Sequence, residues 1–486
     1  MSDIHSNTKK AHSDTPPLCV DLDGTLVITD TLWEALLSLI KTHPFMLLCL
    51  PFWLIKGKAY FKHRIATLIK INPDQMAYND EVLAFLRSEH DKGRDIVLTT
   101  ASDYQIADSI AKYLGIFSSV LASNGKVNLS GNKKLQAIRN YVGNRGYEYI
   151  GNDTADLPVW KGAKKAHLVN PNHRLLRKTK EIAAIGHIFG KSENKWIAVL
   201  KALRTYQWAK NLLIFVPLIT SHRLSDIDLL FRAFIAFASF SLCASCVYII
   251  NDLMDLSVDW QHPRKRYRPF ASGALSIKNG IFMSMLLLSM GLAISISLLH
   301  MPFTFMLITY IILTTAYSLS IKKIPVLDVL LLAGLYTQRI LAGGIAVEIT
   351  LTAWLLGFAI FFFLSLAFVK RYTELRFLQV ENKTEIAGRG YGIEDIGIIQ
   401  SIGPTSGYLS VLVLALYINS KEVILLYKNP WILWLIGPCL LYWITRIWLI
   451  AHRGQMHDDP IVFAIKDKVS YIVAILVVLI LIAATL

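Results

Sequence analysis

Asn251-Asp252-Leu253-Met254-Asp255-Leu256-Ser257-Val258-Asp259 follows an apolar run and opens onto a basic segment, His262-Pro263-Arg264-Lys265-Arg266-Tyr267-Arg268-Pro269. On a helix, Asp252, Asp255 and Asp259 fall three and four apart, so the spacing predicts that their carboxylates share one face. Three like charges on one face repel. A divalent cation removes that conflict, and Mg2+ takes carboxylate oxygens while keeping positions open for a substrate's phosphates. The alternative is a solvated helix end with surface carboxylates. The bases that crowd in next, and a second charged cluster downstream, favour the metal.

Around this stretch the chain is membranous. Its 486 residues are 54% hydrophobic, too apolar for a wholly soluble protein and long enough for a soluble domain plus a membrane domain. Apolar runs fall near 209–221, 229–250, 279–299, 302–320, 328–348, 351–369, 402–419, 430–451 and 469–486, which predicts nine spans, the first being the shortest. The connections at 251–278, 320–327, 370–401 and 452–468 carry fifteen Lys and Arg, and those at 222–228, 300–301, 349–350 and 420–429 carry three. The positive-inside rule therefore predicts an inner-membrane protein with the aspartate loop and the N-terminal domain in the cytoplasm and the C-terminus outside. The net charge of +15 fits basic loops on anionic lipid. No soluble basic face with aromatics points to nucleic acid. The five cysteines are scattered, and Cys243 and Cys246 lie within an apolar run, so they read as packing residues and not as a disulfide framework. Residues 1–16 are polar, which predicts a disordered tail and no signal peptide.

The second charged cluster is Lys370-Arg371-Tyr372-Thr373-Glu374, at the end of an apolar run on the same predicted side. Lys370 and Arg371 precede Glu374 by four and three residues and share a helical face with it. Bases that flank a span under the positive-inside rule are the plainer reading. Paired with the aspartates, the cluster suits a diphosphate bridged by Mg2+, with Lys and Arg clamping free phosphate oxygens. Arg339 lies mid-span, as does Arg446. A charge there is costly, so both are expected to face the interior.

The N-terminal part reads differently. Leu18-Cys19-Val20-Asp21-Leu22-Asp23-Gly24-Thr25-Leu26 is a short apolar strand running into two aspartates and a tight turn. Open α/β sheets bind ligands at the carboxyl ends of their strands, where Asp21 falls. Asp95–Ser102 is a second strand, ending in hydroxyls; Gly131-Asn132-Lys133-Lys134 offers a cation at a helix start; Tyr147–Asp156 is a third strand, ending in acids. Residues 30–85 form a helical cap. Within it, Pro44–Ile55 is apolar, too short to span a bilayer, and followed by Lys56, Lys58, Lys62, His63 and Arg64. It suits an interfacial anchor or, equally, a cap helix packed on its own domain.

These elements in order resemble the haloacid dehalogenase (HAD) phosphatases over about residues 17–175. The resemblance implies an α/β, Rossmann-like domain with a helical cap. It implies Asp21 as nucleophile, Asp23 as general acid/base, and Thr100 (or Thr99) and Lys134 (or Lys133) on the phosphoryl oxygens. It also implies Mg2+ held by Asp21, Asp23 and Asp156, with Asp153. Asn152 stands where the family pattern has an acid, which weakens the metal site unless Asp153 compensates and leaves a purely structural domain as an alternative.

After a linker over 176–195, residues 196–486 resemble the UbiA superfamily of intramembrane prenyltransferases, all-α with nine transmembrane helices. The NDxxDxxxD motif carries this resemblance. The family's second aspartate motif is missing, and Lys370-Arg371-x-x-Glu374 stands there instead. That departure is similar to the decaprenyl-phosphate phosphoribosyltransferase branch. Gln207-Trp208-x-Lys210-Asn211, His262–Gly273, Ala316-Tyr317-Ser318-Leu319-x-x-Lys322 and Asp459-Pro460 with Lys466-Asp467 also match it. The resemblance implies phosphoribosyl pyrophosphate (PRPP) as donor and a polyprenyl phosphate lipid as acceptor. It places Mg2+ on Asp252, Asp255 and Asp259, and gives Glu374 a catalytic role. Substrate contacts fall to Asn251, Lys210, Arg264, Lys265, Arg266, Arg268, Tyr317, Lys322, Lys370 and Arg371. The HAD domain would then remove the 5-phosphate to leave polyprenyl-phosphoryl ribose. Two other readings stay open: an aromatic prenyltransferase using a polyprenyl diphosphate, and a non-enzymatic transporter or scaffold with a regulatory HAD domain.

Overall fold

The computed structural model describes residues 15–190, 194–380, 389–420, 423, 426–456 and 459–486. Residues 1–14 of the expected tail, 191–193 of the expected linker, and parts of the 370–401, 420–429 and 452–468 connections lie outside the described residues. The chain divides into two compact units, one of which adds Tyr248–Met283 to the N-terminal domain, the other comprising Arg204–Val247 and Ser284–Leu486.

The N-terminal domain is built on a six-stranded, all-parallel sheet: β1 (Leu18–Val20), β2 (Ile96–Asp103), β3 (Ser119–Ser123), β4 (Glu148–Gly151), β5 (Lys165–Val169) and β6 (Ile185–Phe189), in the order β3-β2-β1-β4-β5-β6. The strands are short apolar runs because both faces are covered. Alternation sends Leu18 and Val20 into one core with Ile96, Leu98, Ile106 and Val82. Cys19 points into the other, with Val97, Ile138, Tyr149 and Trp160. The strand order reverses on either side of β1, which makes its carboxyl end the place where such sheets bind ligands. Asp21 follows directly, its N–H bonded to the Ile150 carbonyl at 2.9 Å. The sheet runs on to Phe189, so the boundary expected at 175 is too early: helix His173–Ile182 and β6 occupy much of the expected linker.

The cap comprises Thr31–Thr42, Pro44–Cys49, Leu50–Ile55 and Lys58–Leu68. Asp30 starts it, accepting from the Leu32 and Trp33 N–H groups as a helix N-cap. Ala35, Leu39, Ile65 and Ile69 form its core, and Met46, Leu50 and Trp53 pack on them.

Within Tyr248–Met283, the long helix Ile227–Met254 stops and a short helix, Leu256–Gln261, begins after Asp255. The aspartates therefore do not lie on one continuous helix, a correction to the expected single face. Asp255 has left helical geometry (φ −96°, ψ 8°). Helix Leu256–Gln261 lies beside the Pro73–Gln75 turn. Gly273 adopts φ +76°, and a Cβ there would meet Ile28 Cγ2 at 2.5 Å, so the basic segment ends against the loop that links Asp23 to the cap.

Among the described residues, eight helices are long and apolar enough to cross a membrane: Ile227–Met254, Ile277–Leu298, Met301–Leu319, Leu327–Ala346, Ala353–Gln379, Ile393–Ile418, Pro430–His452 and Lys468–Thr485. They match eight of the nine expected runs. The ninth, 209–221, is instead a 3-10 segment, Thr205–Phe215, with a five-residue helix, Val216–Thr220. Pro217 stands in it, and the run is too short to satisfy its backbone across a bilayer as one helix. Leu327–Ala346 is 67% buried and Lys468–Thr485 only 17%, so the former is central and the latter peripheral. Gly343 on the central helix faces the Ile214 backbone, where a Cβ would collide with the carbonyl oxygen. Because backbone cannot rotate away, Gly343→Val is expected to cost about 1–3 kcal/mol by overpacking. A several-degree fall in the thermal midpoint of the solubilised chain checks this; an unchanged midpoint contradicts it.

Candidate active sites

At the carboxyl end of β1, Asp21 Oδ1 accepts from the Leu22 N–H (2.9 Å) and pairs with Lys134 Nζ (3.0 Å). Lys134 also donates to Asp156 Oδ1 (3.2 Å) and the Tyr149 hydroxyl (2.9 Å), and Tyr149 donates to Asp156 Oδ1 (2.8 Å). Gly131 starts the helix Asn132–Val142 in a phase that buries Lys134 beside Asp21 and leaves Lys133 exposed. Burial works against the ammonium of Lys134, but Asp21 and Asp156 outweigh it and hold its pKa above the usual range. Burial pushes the Asp21 carboxyl up to about 7, with Lys134 pulling it down and Asp156 and Asp23 adding to the rise.

Asp23 accepts from the Thr31 N–H (2.8 Å) and from Ser102 Oγ (2.5 Å), so both carboxylate oxygens are oriented by the cap's first residue and by the end of β2. Thr99 is committed to the Val20 carbonyl (3.2 Å), whereas Thr100 accepts from the Ser102 N–H (3.0 Å). Asp153 is exposed and caps its own turn through Thr154, so it does not join Asp156 and does not compensate for Asn152. Asp156 is itself engaged by Lys134, Tyr149 and the backbone N–H groups of Asn152 and Asp153. Oxygen donors suited to a hard cation remain on Asp21 and Asp23.

The cap contributes a residue that the sequence reading noted only as one of the bases following the apolar stretch. Lys62 Nζ donates to the Ala101 carbonyl (2.6 Å) and Asn128 Oδ1 (3.1 Å), and its neighbour His63 Nδ1 pairs with Asp103 (3.0 Å). Burial lowers the Lys62 pKa against the pull of Asp23, Asp30 and Asp21. Its place in a run of bases after an apolar stretch disguised it.

In the segment Tyr248–Met283, Arg268 Nη1 bridges Asp252 Oδ1 (3.0 Å) and Asp259 Oδ2 (2.7 Å). The expected metal residues thus bracket a cation that the chain supplies. Burial raises the Asp259 pKa and Arg268 opposes it. Among the described residues no three His, Cys, Asp or Glu side chains converge as a metal site. The all-oxygen donor set suits Mg2+, and the position between Asp252 and Asp259 already accommodates positive charge. Of the other bases, Arg264 and Arg266 are exposed, with Arg266 bonded to the Tyr267 hydroxyl (2.8 Å), and Lys265 is half-buried. Asn251 accepts the Asp255 N–H through its carbonyl (2.9 Å).

The second unit holds two charged clusters. Arg371 and Asp328 are both fully buried and paired at 2.5 Å. Arg371 also donates to Glu374 (2.5 Å) and the Tyr317 hydroxyl (2.9 Å), while Tyr391 donates to the other Asp328 oxygen (2.7 Å) and Arg389 to Glu374 (3.3 Å). Arg371 is therefore committed on all three of its nitrogens, which corrects its expected role as a free phosphate clamp. In the other cluster, Lys210 (3.0 Å) and Lys370 (3.1 Å) both donate to Asp459 Oδ2 and hold that carboxyl well below the usual range although it is buried. Lys322 lies on the short turn Ile321–Lys323. Arg339 faces the interior as expected, bonded to Asn211 (2.9 Å) and the Tyr310 hydroxyl (3.2 Å), and Arg446 pairs with Asp467 (2.7 Å). Sequence reasoning missed Asp328, Arg389 and Tyr391; their only signal is an acid at the first turn of an apolar helix.

A parallel α/β domain with a carboxylate–lysine cluster at its sheet's carboxyl end, joined to eight long apolar helices carrying buried ion pairs, defines an integral membrane enzyme. Residues 212–472, more than half of the chain, match the UbiA prenyltransferase family, and the chain belongs to it. An uncharacterized protein, y4nM, of Sinorhizobium fredii is 35% identical over 464 residues, 95% of this chain and 89% of that one. The decaprenyl-phosphate phosphoribosyltransferase of Corynebacterium glutamicum is 33% identical over 180 residues, 36% of this chain and 54% of that one. A UbiA homologue from Archaeoglobus fulgidus, solved with DMAPP and Mg2+, is 16% identical over 59% of this chain and 98% of that one, with a TM-score of 0.44.

Two outcomes follow from these clusters. Removing Arg371 leaves Asp328 buried without its guanidinium, so Arg371→Met is expected to cost about 3–5 kcal/mol, and adding Asp328→Leu should recover much of it. Chemical or thermal unfolding of the single and double variants checks the pair. If Asp21 acts as a carboxylate nucleophile it must be ionised, so hydrolysis of a phosphomonoester by the free chain is expected to rise as pH increases through about 7. Lys134→Met removes the group that favours the ionised form, so the acid limb of the kcat/KM profile should move to higher pH; an unmoved limb would sink that assignment.

Proposed function

We propose that the membrane domain transfers a 5-phosphoribosyl group from PRPP to a polyprenyl phosphate and that the N-terminal domain removes the 5-phosphate, giving polyprenyl-phosphoryl ribose. The observation that carries this reading is the Lys210–Asp459–Lys370 cluster, in which two ammonium groups share one carboxylate and retain positive charge for phosphate oxygens. Its Lys370 belongs to the Lys370-Arg371-x-x-Glu374 segment, which stands where a user of prenyl diphosphates is expected to carry a second aspartate motif. The named relative from Corynebacterium glutamicum supports the same branch.

Lys210 and Lys370 bind phosphate oxygens in this reading, with Lys322. Arg371 acts by positioning Glu374 and Tyr317. When bound by Asp252, Asp255 and Asp259, Mg2+ supplies charge stabilisation to the departing pyrophosphate. Arg268, displaced from the aspartates, joins Arg264, Lys265 and Arg266 as a phosphate ligand. The ribose C1–O bond breaks, and an oxygen of the lipid phosphate forms the new bond. In the N-terminal domain Asp21 attacks phosphorus to form an aspartyl phosphate as the ester P–O bond breaks, Lys134 and Thr100 hold the phosphoryl oxygens, and Asp23 protonates the leaving 5-hydroxyl. Water deprotonated by Asp23 then hydrolyses the aspartyl phosphate to release inorganic phosphate. Both sites work at the cytoplasmic face, on the loop charges, and the covalent link raises the local concentration of product at the second site.

The test uses membranes given ribose-labelled PRPP, polyprenyl phosphate and Mg2+, with wild type beside Asp21→Asn. Label should enter lipid in both and retain a 5-phosphate only in the variant. No label in lipid would overturn the phosphoribosyl reading and turn attention to prenyl diphosphates with aromatic acceptors.

A further inference from the structure

We infer that the tip of the cap, Pro44–Ile55, is an interfacial anchor that seats in the anionic headgroup layer of the bilayer holding this chain, and that it biases the phosphatase towards lipid-borne esters. The second clause rests on the phosphatase reading above; the first does not. The tip is two-sided. Met46, Leu50 and Trp53 pack on the cap's own core. Phe45, Leu48, Phe52 and Ile55 point away from it and are 86%, 76%, 68% and 83% exposed. With Leu47 and Leu54, six large apolar side chains on these twelve residues are exposed, a density of the kind that marks an interaction surface. The sequence left open whether this segment packs on its own domain or meets lipid, and each of its faces does one of these.

Charge identifies the occupant. Between Glu34 and Asp74 the chain has six Lys or Arg and no Asp or Glu. Lys41, Lys56 and Lys58 are exposed on either side of the tip, and Arg64 lies over the Trp53 ring at 5.9 Å. Apolar side chains ringed by bases, on a helix too short to span, suit the boundary between acyl chains and anionic headgroups. The chain's own apolar helices keep it at such a surface.

The tip is also wired to the site. Ile55 leads within three residues to helix Lys58–Leu68, whose Lys62 and His63 reach Ala101 and Asp103 at the end of β2, and Asn128 after β3. The tip is thus continuous in the chain with the helix that carries Lys62, so what it binds is held close to Asp23's side of the sheet.

The experiment places the full chain in nanodiscs of phosphatidylglycerol or phosphatidylcholine doped with a phospholipid bearing a photoactivatable acyl chain, and maps adducts by mass spectrometry. Adducts on peptides covering 44–55 are expected in phosphatidylglycerol. They should fall severalfold in phosphatidylcholine, in Lys56→Glu/Lys58→Glu, and in Phe45→Ser/Leu48→Ser/Phe52→Ser/Ile55→Ser. Adducts confined to the eight long helices, or crosslinks from the tip to a second copy instead of to lipid, would overturn the anchor. The serine variant should hydrolyse p-nitrophenyl phosphate like wild type, which shows the domain intact, and phosphatidate severalfold more slowly. Equal loss on both substrates, or on neither, would overturn the bias. If wild type hydrolyses neither, the phosphatase reading and the bias built on it fall together, and the adduct map still decides the anchor.

Discussion

A charge with no access to water must have a partner, and Arg371 with Asp328 meets that condition among the membrane helices. Both are fully buried, and the remaining polar atoms recruit Glu374, Tyr317 and Tyr391. Each recruit arrives on a different part of the chain. Asp328 is at the start of one helix, Arg371 near the end of the next, Tyr317 at the end of the one before, and Tyr391 in the segment after. The cost of desolvating an unpaired ion is several kcal/mol, larger than most single packing terms. It therefore fixes the relative placement of these helix ends more tightly than apolar contact alone, and Glu374 inherits its orientation from that placement.

The same rule shapes the N-terminal site at smaller scale. Asp21, Asp156 and Lys134 are buried together, and Tyr149 closes the set. Burial raises the Asp21 pKa, with Lys134 opposing and Asp156 adding to the rise, while the two carboxylates keep Lys134 protonated. Asp23 stays apart from this group, held by Ser102 and Thr31. Two aspartates two residues apart thus sit in different surroundings.

Much of this was legible from residues near one another in sequence. Asp21 and Asp23 stood out because a buried strand rarely ends in paired carboxylates, and eight apolar runs announced themselves by length. What stayed hidden depended on distant partners. Asp328 and Arg371 are 43 residues apart, and nothing local marks the acid as theirs. Lys62 and Lys134 were visible as charges, but whether they face water or the site depends on helix phase, and Lys133 offered an equal choice. The break at Asp255 was masked because Leu253 and Leu256 continue the apolar pattern through it. The short 209–221 run was read as a span on composition, while Pro217 and its length forced a broken segment.

Arg268 gives the aspartate motif a property that bears on how the protein is made. A loop of three carboxylates without a counter-ion depends on metal supply while it folds. Here the guanidinium between Asp252 and Asp259 travels in the same polypeptide, nine residues after the second of them. The two carboxylates that would otherwise repel are balanced from within the polypeptide as soon as Arg268 has been synthesised.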